Sequence, residues 1–249
     1  SAASDVYKRQ GISRELCGVA LNLMRRRTLR KERYSMLSER FDNLLIRIGN
    51  PTLEHPVFYK CPVAIRFEIG GETPVYSDAS LLRDTVVNPQ YIGASLQRAK
   101  AIYSSLPQPP NLLRIDTHPN ENGPGYGNGL DLSVLQNLVS LPHEQREQQI
   151  NDGDEQYMVL QLYWDLCKID FSPELLLREI IKADLGGISS LVSSVYFANT
   201  EEVYLYHIYD DRGADLVAER KETLWPIYHN FNQWILDCDR KEIDKLFAT

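Results

Sequence analysis

The stretch VYLYHIYDDRGADLVA, residues 203–218, decides the fold. Its first half alternates two sets of bulky side chains, with Val203, Leu205, His207 and Tyr209 on one side and Tyr204, Tyr206 and Ile208 on the other. A strand with large side chains on both faces is typical of an interior position in a sheet. Asp210–Gly213 predicts a tight turn with a positive φ at Gly213, and residues 216–218 return as an antiparallel partner strand.

Two helices are predicted after this hairpin. The first carries apolar residues at the helical spacings of 4, 3 and 4, namely Leu224, Tyr228, Phe231 and Ile235. Pro226 is compatible with this helix if it lies in the first turn. Asp239, followed by Glu242 three residues later, is an acidic version of the capping box and predicts the start of the last helix.

Upstream of the hairpin, helices and strands alternate. Periodic apolar residues predict strands at 62–69, 112–116, 157–164 and near 190–198. Helices are predicted at 34–48, after Asn88-Pro89, at 131–141 and after Ser172-Pro173. The Gly-rich residues 118–129 are expected to form a loop that includes His118, and the polar residues 143–154 a surface linker.

This order of elements predicts an α+β fold. We expect a mixed, largely antiparallel sheet with helices packed on it, ending in a C-terminal β-hairpin followed by two helices. Strands joined by short turns are antiparallel, whereas the earlier strands, which are separated by helices, could lie parallel.

The charge of the chain is unevenly distributed. The whole chain of 249 residues carries a net charge of −7, but residues 1–40 have an excess of six basic side chains and residues 41–249 an excess of thirteen acidic ones. An acidic body repels phosphates, so we expect no nucleic-acid partner and no anionic membrane surface as a partner. No apolar run approaches the roughly 18 residues of a membrane-spanning helix.

Residues 1–33 are expected to be a basic extension, and residues 34–249 a single α+β domain. A signal peptide would carry its charges before its apolar stretch, whereas here the large arginine cluster follows it. An organellar transit peptide, a solvated basic helix and an upstream extension of the reading frame remain as interpretations. In the last case, which we favour, Met24 or Met36 would begin the natural protein.

The four cysteines indicate a reduced, cytoplasmic protein. Cys17, Cys61, Cys167 and Cys238 are far apart and form no C-x-x-C pair, so no zinc site is predicted. Since Cys61, Cys167 and Cys238 each have apolar neighbours in the sequence, we expect them to be buried free thiols.

Two long motifs carry a resemblance to a known family. The C-terminal block contains HIYDDRG and then the pattern Y-x5-W-I-L-D-x-D-R-x2-I-D-x2-F, from Tyr228 to Phe247. Together with PVFYKCPVAIRFEIG, residues 56–70, and LQRAKAIY, residues 96–103, they resemble a bacterial family described as a domain of unknown function. Cys238 stands where members usually have Tyr. The resemblance implies membership from about residue 56 to residue 247 and brings no activity with it.

Seven polar side chains of this block are candidates for chemistry: His207, Asp210, Asp211, Arg212, Asp237, Asp239 and Arg240. If the hairpin turn lies against the start of the last helix, this Asp/His/Arg cluster has the groups that metal-assisted or general acid–base catalysis requires. The simpler interpretation is structural, with the aspartates as turn residues and helix caps, the arginines as ion-pair partners, and a hydrogen-bonded histidine in the core.

Outside this block, Arg66 and Glu68 lie on one face of their strand. They could form a cross-strand ion-pair network or line a pocket, and we favour the network. No G-x-S-x-G, H-E-x-x-H or phosphate-binding loop is present in the sequence.

Two classes of function are therefore compatible with the sequence. The first is a non-enzymatic cytosolic binding protein, of the immunity or inhibitor kind, with a basic protein as its partner. The alternative is a metal-assisted hydrolase or phosphoesterase that uses the Asp/His/Arg cluster. No cofactor is predicted, and no residue is assigned as a metal ligand.

Overall fold

A seven-stranded antiparallel sheet forms the centre of the protein, as seen in a computed structural model. The structure describes residues 36–77, 86–117, 137–152, 155–185 and 193–248, together with Leu135 and Leu191. The strands are β1 (Ala64–Glu68), β2 (Leu112–Thr117), β3 (Glu144–Asp152), β4 (Glu155–Asp165), β5 (Ser193–Asn199), β6 (Tyr204–Ile208) and β7 (Gly213–Ala218). Their order is β1-β7-β6-β5-β2-β4-β3. The predicted α+β fold is confirmed. Every strand pair is antiparallel, although the sequence also allowed parallel pairing of the earlier strands.

Six helices lie within the described residues. They are α1 (Leu37–Arg47), α2 (Val57–Lys60), α3 (Pro89–Ser104), α4 (Pro173–Ala183), α5 (Lys221–Asn230) and α6 (Arg240–Phe247). The cap predicted for α3 is confirmed, because the Asn88 side chain accepts a hydrogen bond from Gln90 N at 3.0 Å and Pro89 follows it. The hairpin followed by two helices is also confirmed. Pro226, however, lies inside α5 and not in its first turn.

One face of the sheet is apolar. A row of directly opposed residues crosses it from β1 to β4: Ile65, Leu216, Tyr206, Phe197, Leu113 and Trp164. All six are fully buried. Helix α3 covers this face, since Tyr206 Oη donates to Ala99 O at 3.3 Å and the Tyr103 ring packs edge-on against Phe197.

The opposite face carries a polar row that crosses all seven strands. In the same register it runs through Arg66, Asp215, His207, Tyr196, Arg114, Tyr163 and Glu144. Helices α1 and α2 cover this row. The Phe41 ring of α1 lies 6.2 Å from both the Tyr163 and the Tyr196 ring, and the backbone N of Phe58 in α2 donates to Asp215 at 3.0 Å.

The surface linker predicted at 143–154 is wrong, because most of it is the edge strand β3. Its inward side chains are polar, so no alternation of apolar and polar residues marks it as a strand. Glu144 accepts hydrogen bonds from the backbone N of Ser38 and from its hydroxyl at the start of α1. Arg146 forms an ion pair with Asp42 of the same helix at 2.6 Å. The strand thus faces a polar interior.

Several expectations concern parts of the chain outside the described residues. They are the basic extension 1–33, the loop 118–129 with His118, and most of the helix at 131–141. From Leu37 onward the chain forms one compact unit. Within the described residues, no helix combines the length and the apolar character needed to cross a membrane.

The cysteines are only partly as expected. Cys61 is buried, and burial raises the pKa of its thiol to about 12. Cys167 and Cys238 are free but exposed, so the prediction that they are buried is wrong. Cys167 lies in the short 3-10 turn Leu166–Lys168 and Cys238 in the turn before α6, where apolar neighbours in the sequence do not imply burial. Cys17 lies outside the described residues.

Candidate functional site

A buried ion pair joins the two strands at one end of the polar row. Arg66 of β1 lies opposite Asp215 of β7 and donates from Nε to Oδ1 at 2.7 Å and from Nη2 to Oδ2 at 3.0 Å. Both residues are buried. The cross-strand network predicted for Arg66 and Glu68 is therefore confirmed for Arg66, whereas no ion pair joins Glu68 to any described residue. Burial opposes the charge of Arg66, but the hydrogen bonds to Asp215 and the nearby charges, that of Asp215 first among them, together outweigh burial and raise the pKa of Arg66, so the guanidinium stays charged.

Three aromatic rings surround the guanidinium group of Arg66. Its central carbon lies 5.0 Å from the ring centre of Phe58, 4.8 Å from that of Tyr59 and 5.1 Å from that of Tyr209. A guanidinium at this distance from aromatic faces gains cation–π attraction. We call Arg66, Asp215, Phe58, Tyr59 and Tyr209, together with Asp239 described next, the Arg66 cage.

Asp239 closes the cage at the start of α6. Its Oδ1 accepts a hydrogen bond from Tyr59 Oη at 2.8 Å, and its Oδ2 lies 3.9 Å from Arg66 Nη1. Asp239 does occupy the N-cap position of α6, but its side chain makes no capping hydrogen bond. The predicted acidic capping box is therefore wrong, because the carboxylate turns to Tyr59 and Arg66 in place of the helix N-terminus.

The hairpin turn places Tyr209 in the cage. Asp210 Oδ1 accepts hydrogen bonds from the backbone N of Arg212 and of Gly213, at 2.8 and 2.6 Å, while the Arg212 side chain is exposed. Asp210 is thus a turn residue, as the simpler interpretation expected. Gly213 does not have the positive φ that we expected. Its role is steric, since a Cβ at this position would overlap the Tyr209 ring.

Three carboxylates lie together next to this turn. Oxygen atoms of Asp184, Asp210 and Asp211 lie within 4.8 Å of one another, a spacing at which they could share a divalent cation. Asp211 is buried and accepts a hydrogen bond from the Tyr91 hydroxyl of α3. Burial raises the pKa of Asp211 and outweighs the opposing effect of that hydrogen bond. Sequence reasoning did not find Asp184, which follows α4 and has no motif around it.

His207 lies in the core beside Tyr196 and His55. Its Nδ1 is 2.9 Å from Val195 O, its ring stacks on Tyr196 at 4.6 Å between centres, and the His55 ring lies 5.4 Å away. Burial lowers the pKa of His207 to about 3, so the ring is neutral at pH 7. The expected hydrogen-bonded core histidine is confirmed.

Asp237 lies in the connection between α5 and α6, and Arg240 is the first residue of α6. Arg240 Nη1 donates to Asn232 O at 3.1 Å, Nη2 donates to Ile235 O at 2.9 Å, and Nε lies 3.2 Å from Asp237. Arg240 thereby ties the start of α6 to the short 3-10 turn at Asn232–Trp234 and to Ile235, which follows that turn. The carboxylate of Asp237 is almost fully exposed.

The structure therefore divides the seven candidate side chains among four places. His207 lies in the polar row, Asp239 in the cage, Asp237 and Arg240 just before and at the start of α6, and Asp210, Asp211 and Arg212 in the turn. The cage also contains Tyr59 and Asp215, which were not among the candidates. A signal for Asp215 was available, since it is a charged residue in the middle of an apolar strand.

Comparison with known proteins gives a family and no activity. Residues 36–239 match the sequence model of a family described as "Domain of unknown function (DUF3885)". The chain is also similar to the uncharacterized protein YnaE of Bacillus subtilis (strain 168), with 29% identity over 97 residues, which is 35% of this chain. The match spans 43% of the length of that relative. No solved structure matches. Because the family match covers most of the chain and includes every residue of the Arg66 cage, the chain belongs to the DUF3885 family.

Proposed function

We propose that this protein is a non-enzymatic binding protein that recognises its partner through the outer surface of the Arg66 cage. The observation that carries this proposal is that two aromatic side chains of the cage are exposed although their positions are fixed. Tyr59 is 60% exposed and its hydroxyl is held by Asp239, and Tyr209 is 40% exposed and lies against Gly213. Rigid exposed tyrosines lose little conformational entropy on binding, and tyrosine is enriched among the residues that dominate interface energies.

The charge around the cage favours a basic partner. Glu68 and Asp237 are exposed close to the cage residues in the sequence, and the whole chain carries a net charge of −7. An acidic surface attracts a positively charged protein over long range and raises the association rate. An acidic binding protein with rigid aromatic anchors suits an immunity-like or inhibitor-like role against a basic protein in the cytoplasm.

The hydrolase alternative depends on the carboxylates of Asp184, Asp210 and Asp211. These could hold a metal ion, but a hydrolytic reaction also needs a group that moves a proton at the substrate. His207 is unsuitable for this role because it is buried and its Nδ1 is engaged with Val195. We therefore favour binding, and a metal-dependent activity that requires Asp211 would be the result in favour of the alternative.

The test is binding to the basic proteins encoded beside this gene. Each is purified and titrated into the wild-type chain and into Tyr59→Ala and Tyr209→Ala. We expect one to bind, with Kd increased at least about tenfold in both variants, as is usual for a hot-spot residue. Tyr76→Ala is the matched control, since Tyr76 is also an exposed tyrosine (43%) but lies outside the cage.

Two further measurements sharpen this test. Tyr59→Phe keeps the ring and removes the hydrogen bond to Asp239, so it separates the contact surface from its support. Affinity for a basic partner should fall as salt concentration rises, because the attraction between exposed charges is screened. Absence of binding by any such protein, or unchanged Kd in folded Tyr59→Ala and Tyr209→Ala, would contradict the proposal.

A further inference from the structure

A groove of about 440 Å³ lies between α1 and the strands β2 and β3, away from the Arg66 cage. One wall is apolar and includes Ile46 of α1 and Pro51 of the following turn. The other wall is polar and includes Arg114, Arg146 and Gln148. Small-molecule sites have volumes of roughly 300–1,000 Å³ and combine apolar walls with a few placed polar groups. The groove has both properties.

Arg114 is the most informative residue of the polar wall. It is only 4% exposed, and its Nε and Nη2 each donate to Asp116 at 2.6 Å. The rings of Phe41, Tyr163 and Tyr196 lie 4.8 to 5.9 Å from its guanidinium carbon. Among the residues that the structure describes, none accepts a hydrogen bond from Nη1. The guanidinium therefore has one donor group left for a ligand in the groove that Arg114 lines.

The rest of the polar wall is held in place by a hydrogen-bond network. Gln161, which is fully buried, accepts from Arg146 Nε at 2.7 Å and from Tyr163 Oη at 2.9 Å, and its own amide donates to Gln148 Oε1 at 2.5 Å. Arg146 also donates twice to Asp42 of α1. Since Gln148 accepts through its oxygen, its amide NH2 group is the part that can donate to a ligand.

We propose that this groove binds a small aliphatic molecule through its carboxylate. Arg114 Nη1 and the amide of Gln148 donate to the carboxylate oxygens, and the aliphatic part of the molecule lies on Ile46 and Pro51. A carboxylate is the best match because its two oxygens accept hydrogen bonds only, and a guanidinium gives charge-assisted bonds to it.

The charge of the groove narrows the class of ligand. Asp42 pairs with Arg146 and Asp116 pairs with Arg114, so a carboxylate balances each of the two guanidinium groups. A lining without net charge does not select for multiply charged anions such as phosphates. It suits a monocarboxylate, or an aliphatic amino acid, whose ammonium group leaves the molecule without net charge. Both share the carboxylate that Arg114 would bind.

Binding to the full chain distinguishes these two ligands. Two panels are titrated by calorimetry and by thermal unfolding: the monocarboxylates from butyrate to hexanoate, and the aliphatic amino acids, each with its carboxamide analogue as a control. We expect the carboxylates to raise Tm by about 3–5 °C at ten times Kd, and the carboxamides to have no effect. A preference for the amino acids assigns the zwitterion, and the reverse preference assigns the simple acid. No binding from either panel at millimolar concentration would overturn the proposal.

A pair of variants shows whether the groove is the site. Arg114 belongs to a buried pair and its replacement endangers the fold, whereas Ile46 is 63% exposed and tolerates a charge. Ile46→Glu should weaken carboxylate binding at least about tenfold through like-charge repulsion, and Ile46→Lys should not weaken it. Leu175→Glu introduces the same charge at an exposed position of α4, outside the groove, and should bind as the wild type does. Equal affinity in Ile46→Glu and the wild type would exclude the groove.

Discussion

Replacing Asp215 by alanine is the most informative stability experiment on the Arg66 cage. Asp215 is 1% exposed and accepts three hydrogen bonds, from Arg66 Nε at 2.7 Å, Arg66 Nη2 at 3.0 Å and Phe58 N at 3.0 Å. Its removal leaves a buried cation whose nearest remaining carboxylate is Asp239 at 3.9 Å, and a backbone N–H without an acceptor. Breaking a buried pair in this way costs about 3–5 kcal/mol of unfolding free energy.

The assay is urea-induced unfolding, with the slope of the transition checked so that the free energies are comparable. The matched control is Glu219→Ala, which breaks another two-bond arginine–carboxylate pair, but one that is exposed, with Arg47. We expect this control to lose at most about 1 kcal/mol. If Asp215→Ala loses no more than the control, the pair does not stabilise the fold. The double variant Arg66→Met/Asp215→Leu should lose less than Asp215→Ala, because it leaves no uncompensated charge.

Three further predictions concern the hairpin. The pKa of His207 in the folded state is about 3, below that of a free histidine, so the free energy of unfolding falls as the pH drops below about 6.5. Between pH 7 and pH 5 the wild type should lose about 2 kcal/mol more of this free energy than His207→Gln does. Gly213→Ala should destabilise by about 1–3 kcal/mol through overlap with Tyr209, and much less in a Tyr209→Ala background, as a double-mutant cycle would measure. Magnesium or manganese ions should leave Tm unchanged in the wild type and in Asp211→Asn; a rise in Tm that is lost in Asp211→Asn would favour the hydrolase alternative.

The elements with local signals were predicted correctly from the sequence. The start of α3 is marked by Asn88-Pro89, and the hairpin strand β6 by bulky residues on both faces. Strand β3 was missed because the usual signal is an apolar side, and its inward side faces Asp42 and Gln161. Gly213 shows a different limit: a turn glycine indicates a positive φ on average, but here it leaves room for an aromatic ring that only the folded chain brings there.

The candidate site could be predicted only in part. The position of Arg66 on its strand indicated an ion-pair network, but its partner is 149 residues away in the sequence. The sequence around Asp239 predicted a helix cap, but its carboxylate accepts a hydrogen bond from Tyr59, which lies 180 residues earlier in the sequence. Local chemistry explained each of these side chains separately, whereas the cage is produced by the pairing of β1 with β7.

Most residues of the hairpin motif HIYDDRG have a role in stabilising the fold, and one exposed side chain does not. His207 bonds to the backbone of β5, Asp210 holds the turn, Asp211 accepts from Tyr91, and Gly213 leaves room for Tyr209. Each of these roles is complete without a ligand. The exposed part of the Tyr209 ring has no such role, because a buried or smaller side chain would stabilise the fold as well. The same reasoning applies to the exposed ring on the other side of Arg66, which is why we place the binding function on this surface and not in the acidic turn.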